Sequence, residues 1–315
     1  MDTRFAPLRS TGSRLISTYT YLKKYWFIYM LILPGLVHLV IFRYMPMYGI
    51  LVAFKKFQPL KGIWSSPWVG FKNFQLFFND AYFYKVLLNT VLINIYGIVF
   101  GFTFTIFLAL MINELKIGFL KKTVQTFVYL PHFLSWVIFS GLVMMVLSPS
   151  DGVVNKFIEA MGNEPVNFLA KPEYFRAILV ISGIVKGAGF GTIIYLAAIA
   201  GINPELYESA IVDGAHRGHM IRHITLPRMY PTMAVLLIMN VANLFSSNFD
   251  QVYNLYNPLV YNTGDVISTY LYRTGLLEGK WEMATALGLV FNVLGLVIII
   301  YTNKVINKLN VMGIF

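Results

Sequence analysis

Six stretches of this 315-residue chain are apolar for long enough to cross a bilayer as helices, and that excludes most other folds. They run over about 26–42, 86–112, 123–147, 177–201, 232–249 and 283–303. A helix needs about 20 residues to span the hydrocarbon, and only helices or closed barrels satisfy their backbone groups there. Charged residues make up 12% of the chain, about half the usual ~25% of soluble proteins. So few charges could not clothe a water-facing globule of this size. The reading is an all-α polytopic membrane protein with six transmembrane helices.

The ends fix an expected orientation. Residues 1–25 form a basic tail with Arg4, Arg9, Arg14, Lys23 and Lys24. The segment after the first span, Arg43-Tyr44-Met45-Pro46, is not a small-residue cleavage site, so that span is expected to be retained. An even number of spans then places both this tail and residues 304–315 in the cytoplasm. The segments expected inside carry 13 of the 25 Lys and Arg residues, against 11 in longer outer segments, a small bias in the positive-inside direction. The net charge of +11 reads as an orientation signal and a contact zone for anionic lipid, not as a nucleic-acid footprint.

Several chemistries are missing. With no cysteine there is no thiolate metal site and no cysteine nucleophile. No phosphate-cradling Gly-x-x-x-x-Gly-Lys-Ser/Thr occurs, so ATP is not expected to bind here. Lys186 to Thr192 is glycine-rich, but it lies in a span and suits close helix packing. His216, His219 and His223 recur on one helical face without a further donor, so no metal site is expected. No pair of carboxylates lies within the spans, which argues against an ion-coupled carrier and a membrane hydrolase. The chain is therefore expected to be no enzyme and to hold no cofactor.

The most informative segment is the loop 202–231. Asn203 can cap a short helix with Pro204 first and Glu205 in its first turn, and Gly214 marks its end. Arg217, His219, Arg222, His223 and Arg228 follow, and Pro227 and Pro231 punctuate the approach to the fifth span. A short helix, a turn and a second helix at the membrane surface suit docking into another protein's groove.

Glu208-Ser209-Ala210, three residues, Gly214, nine residues, then Ile224-x-Leu226-Pro227 resembles the EAA loop of binding-protein-dependent ABC importer permeases. Ser209 stands where that family most often has alanine. Tyr195-Leu196-Ala197-Ala198, the run Ser66 to Phe74, Asn89-Thr90 and the run Asp265 to Arg273 resemble the MalF/LplB-like carbohydrate permeases. At Val185 that group often has tryptophan. The resemblance covers residues 20–315 and implies a MetI-like ABC permease domain over 26–303 in a bacterial cytoplasmic membrane.

It also implies a role for each part. Glu205, Glu208, Ser209, Ala210, Asp213, Gly214, Ile224, Leu226 and Pro227 would couple the chain to two separate ATPase subunits, which carry ATP and Mg. A second, related permease and an extracytoplasmic solute-binding protein would complete the importer. The cargo implied is an oligosaccharide, with a non-sugar solute as the first alternative and an ion-coupled secondary carrier as the second. Polar residues in the spans are the candidates for the solute path: Asn94, Lys186, Tyr195, Asn243, Ser247 and Asn248. Amides and hydroxyls match sugar hydroxyls, aromatic rings stack on sugar faces, and Lys186 could equally pair with backbone carbonyls. Trp64, Trp68, Asn257 and Tyr261 in the outer loops are the candidates for binding-protein docking.

Overall fold

The structure is a computed structural model and describes residues 21, 23–245 and 249–308. Among these residues it is helical, with one isolated bridge between Lys55 and Trp68. Five helices are long and apolar enough to cross a membrane: α1 (Trp26–Phe54), α2 (Ala81–Glu114), α6 (Pro172–Ala200), α8 (Arg217–Val241) and α11 (Trp281–Lys308). A sixth span exists if α3 (Gly118–Phe133) and α4 (Trp136–Val146) count as one, but they meet at 107°. Between the long helices lie α5 (Val153–Ala160), α7 (Glu205–Val212), α9 (Phe249–Leu255) and α10 (Ile267–Tyr272). Within 148–176 the chain forms the short helix α5, and between α8 and α11 it forms a succession of short helices.

Three expectations need correction. The first span does not stop at 42 but continues to Phe54. Pro46 falls in the first turn of a 3-10 segment, Met45–Phe54, where its missing N–H costs no hydrogen bond.

The third span is not straight. Leu134 and Ser135 are extended, with ψ of 141° and 155°. Ser135 starts α4 afresh, its Oγ accepting from the Ile138 N–H at 3.3 Å. The break strips the last carbonyls of α3 of helical partners, and the buried Lys186 replaces them. Its ammonium donates to the carbonyls of Pro131 (3.1 Å), His132 (3.0 Å) and Leu134. An ammonium has three donors and here all three meet the negative end of a helix.

Of the short helix, turn and second helix expected over 202–231, the second helix is not separate from the fifth span. From Arg217 the chain is helical into the fifth span, through a π turn at Ile221–Thr225 that absorbs Pro227.

Small residues set the spacing between α6 and its neighbours. A Cβ added at Gly189 would strike the Val128 carbonyl of α3, and one at Gly191 would lie 3.0 Å from Thr105 of α2. That is the close approach expected of small residues in membranes. Three buried clusters hold the bundle. Phe77, Phe83, Val86 and Ile267 pack with Leu287 of α11. Phe175 and Leu179 of α6 meet Val252 and Val266. At the other end Ile106, Ala109, Tyr195, Ile199 and Met229 join α2, α6 and α8. By contrast, residues Trp26–Leu39 bury nothing against the rest of the chain.

Candidate functional site

The α7 element is built from its ends inward. The Glu205 N–H donates to Asn203 Oδ1 at 3.1 Å, and Asn203 Nδ2 donates to Glu205 Oε2 at 3.0 Å. At the other end Gly214 has φ +78°. The Ala215 N–H reaches the Ala210 carbonyl at 2.8 Å, and the Gly214 N–H reaches Ile211 at 3.0 Å. This is the paired closure that a left-handed glycine allows at a helix C-terminus. The helix is then pinned to α8, where the Tyr207 hydroxyl meets the buried Thr225 Oγ1 at 2.9 Å. Arg217 adds an ion pair with Glu114, at the end of α2, at 3.3 Å.

What α7 leaves uncovered is mixed in polarity. Glu205, Glu208, Ser209 and Asp213 are exposed, and Ile211 and Val212 are 61% and 87% exposed. Apolar side chains held out so far on a rigid helix fit a partner's groove. Ala210, Asp213 and Gly214 share a hollow of about 430 Å³ with His216, His219, His223 and Ile224. Leu226 and Pro227 lie deeper in α8, and Leu226 packs against the cluster of Ile106 and Met229. The histidines have local roles. His216 Nδ1 accepts from the His219 N–H at 3.3 Å and starts α8, while the rings of His219 and His223 stack at 4.2 Å. Among the described residues no group of three His, Cys, Asp or Glu side chains is placed to hold a metal.

The solute-path candidates separate. Asn94 and Tyr195 line one cavity of about 360 Å³ between α2, α6, α8 and α9. Asn94 Nδ2 donates to the carbonyls of Thr90 (2.9 Å) and Leu244 (2.8 Å), tying α2 to the end of α8. Asn243 lines a second hollow of about 480 Å³ with Ser268 and Asn292. Lys186 lines neither and caps α3 instead. Ser247 and Asn248 lie outside the described residues. Two amide side chains of this lining escaped the sequence reading, Asn240 and Gln251. Asn240 lies one helical turn before Asn243, which was the available signal. Gln251 is buried, with Nε2 donating to the Leu179 carbonyl at 2.5 Å and to Ser182 Oγ at 3.0 Å. It sits beyond the fifth span, where a search of the spans does not look.

At the opposite end of the bundle Trp64 and Trp68 are 77% and 61% exposed, and Trp68 stacks on Phe54 at 5.7 Å. Asn257 and Tyr261 are engaged within the chain. Asn257 Nδ2 donates to the Leu169 carbonyl at 2.8 Å, and the Arg273 guanidinium lies 4.8 Å over the Tyr261 ring. The run Asp265 to Arg273 builds a closed ion pair. Asp265 is fully buried and accepts from Arg273, from the Tyr82 hydroxyl (2.6 Å) and from Thr269 Oγ1 (2.7 Å). Burial alone would lower the Arg273 pKa, but the Asp265 hydrogen bond and charge outweigh it and hold it above its ordinary value. Next to it, burial and then the Asp80 carboxylate push the Tyr270 phenol up to about 12. Arg176 donates to Asn89 Oδ1 at 2.7 Å, and Asn89 Nδ2 holds the carbonyls of Asn262 and Asp265, each at 3.1 Å. The segment between α8 and α11 is thereby clasped to the ends of α2 and α6.

Residues 97–310 match the family described as the binding-protein-dependent transport system inner membrane component. The chain is 38% identical to protein LplB of Bacillus subtilis over 312 residues, which is 99% of this chain and 98% of that protein. It is 38% identical over 289 residues to YteP of the same organism, a polygalacturonan/rhamnogalacturonan transport system permease protein, covering 92% of this chain and 90% of the other. Among solved structures it is similar to a chain of a bacterial ABC transporter involved in the import of the acidic polysaccharide alginate. The TM-score is 0.87 at 44% identity, over 93% of this chain and 99% of the other. A second structure of a bacterial alginate ABC transporter, in complex with its alginate pentasaccharide-bound periplasmic protein, matches with TM-score 0.87 at 43% identity, over 94% of this chain and 99% of that one.

Proposed function

This chain belongs to the binding-protein-dependent transport system inner membrane components, multi-pass transport subunits without catalysis of their own, and from that premise we propose that it is a permease subunit moving an oligosaccharide into the cell. The carrying observation is α7, a capped helix that holds Ile211 and Val212 in the open beside Glu205 and Glu208. In this reading α7 sits on an ATPase subunit at the cytoplasmic face, with both chain termini on that side. Two ATPase subunits close on ATP and Mg, α7 carries the closure to α8 through Tyr207 and Thr225, and the spans alternate their access. A second related permease completes the pathway, and a binding protein delivers the sugar to the outer face near Trp64 and Trp68. Asn94, Tyr195, Asn240 and Asn243 offer hydroxyl and amide partners for the sugar. The relatives that carry polygalacturonan, rhamnogalacturonan or alginate make uronate-rich chains the first cargo to test.

The absence of native cysteine makes the docking testable without background. Val212→Cys is expected to cross-link to the ATPase subunit in membranes, with a yield that changes when ATP is added. Leu60→Cys, fully exposed in the segment assigned to the outer face, is expected to give no such product. Cross-linking from position 60 but not 212 would invert the orientation and remove the docking assignment.

A further inference from the structure

The segment between α8 and α11 carries an aromatic series that the closed ion pair does not explain. Phe249 stacks on Tyr253 with centroids 5.0 Å apart and planes at 19°, and Tyr272 of α10 lies 5.2 Å from both. Tyr253 is followed by Tyr256 at 5.9 Å and Tyr256 by Tyr261 at 5.0 Å, where the Arg273 guanidinium closes the row. Phe249, Tyr253 and Tyr256 stand at i, i+4 and i+7, one face of α9 and its extension. A different face of the same helix, with Gln251, Val252 and Leu255, is buried, and Gln251 and Val252 line the 360 Å³ cavity. Tyr253 is the exposed ring of the row, at 41%, while Phe249, Tyr256, Tyr261 and Tyr272 are half-buried and Tyr256 also packs against the cluster of Phe175 and Val252.

Its chemistry selects the occupant. Hydrocarbon would favour leucine or phenylalanine here, yet four of the five rings carry hydroxyls, and Asp250 and Asn254 flank them on α9. Such a surface, apolar on the ring face and hydrogen-bonding at the edge, matches a pyranose, whose C–H face and hydroxyl rim have the same two characters. We propose that Phe249, Tyr253, Tyr272, Tyr256 and Tyr261 form a stacking ladder along which a pyranose chain is passed from the outer face toward the cavity on the other side of α9. This rests on the oligosaccharide reading above and adds to it where several sugar units are held at once. A ladder reads length: a disaccharide covers few rings, a longer chain several.

The test uses the complete transporter, with both permeases, the ATPases and the binding protein, in proteoliposomes. The probes are di- and pentasaccharides of galacturonate and of alginate. Removing two rings in Tyr253→Leu/Tyr272→Leu is expected to raise KM for the pentasaccharides about tenfold. Disaccharide uptake should stay within about twofold, as should ATP hydrolysis stimulated by the loaded binding protein. Tyr253→Phe/Tyr272→Phe keeps the rings and is expected to restore most of the loss. If the double leucine variant fails to assemble, Tyr253→Leu alone, at the exposed ring, gives the same length-dependent effect at smaller size. Equal loss for both lengths, as interfacial anchoring would give, overturns the ladder, and so does no loss. Transport of neither sugar class by the unaltered protein overturns the oligosaccharide reading and the ladder together.

Discussion

Gly214→Val is expected to abolish most solute uptake while leaving the protein in the membrane at its normal level. Nothing lies within 4 Å of a Cβ built at this position, so crowding plays no part. The cost is in the backbone. At φ +78° a β-branched residue is strained by about 2 kcal/mol, as much as the two closing hydrogen bonds of α7 hold. The turn would open, and α7 would lose its fixed relation to α8. Uptake is expected to fall about tenfold or more, together with stimulated ATP hydrolysis, both measured in proteoliposomes. Gly214→Asn, which tolerates the left-handed region, is expected to retain most of both. Glu208→Lys changes the charge of the same exposed face without touching the fold and is expected to uncouple hydrolysis from uptake. Normal uptake in Gly214→Val would detach α7 from coupling.

The second large effect concerns stability. Asp265→Ala removes the buried carboxylate that holds Arg273, Tyr82 and Thr269. Breaking a buried pair by removing one partner costs about 3–5 kcal/mol, because the other charge is left uncompensated. The Arg273 side chain is 21% exposed, so solvent moderates that charge and the lower end applies. Asp265→Ala is expected to lower the melting temperature of the detergent-purified complex by several degrees and to loosen the segment between α8 and α11 from α2. The double variant Asp265→Ala/Arg273→Ala should lose less than the two single losses added together. A change within about 0.5 kcal/mol in the single variant would mean that the pair is dispensable.

The parts of the molecule legible in the sequence are those with local causes. Apolar length pointed to the five long helices, and the Asn203, Pro204, Glu205 and Gly214 signals marked the ends of α7. The parts that were hidden depend on partners far along the chain. Pro131 alone does not bend the third span. The 107° break stands because Lys186, more than 50 residues on, supplies donors for the freed carbonyls. The same contact explains why a lysine deep in a span faces no cavity. Asp265 and Arg273 stood in the sequence as part of a family pattern, but the tie to Tyr82, 183 residues earlier, appears only in the fold. The apolar stretch ends at 42, but the helix runs on to Phe54 through a 3-10 segment whose first turn accepts Pro46, which residue type alone does not announce.

In the proposed mechanism this permease is driven by ATPases on other chains. That dependence is tested most directly by uptake of labelled galacturonate or alginate oligosaccharide into proteoliposomes holding the complete transporter. Uptake is expected only with ATP on the ATPase side and binding protein on the other, unchanged when proton and sodium gradients are collapsed. Uptake driven by such a gradient in the absence of ATP would contradict that mechanism.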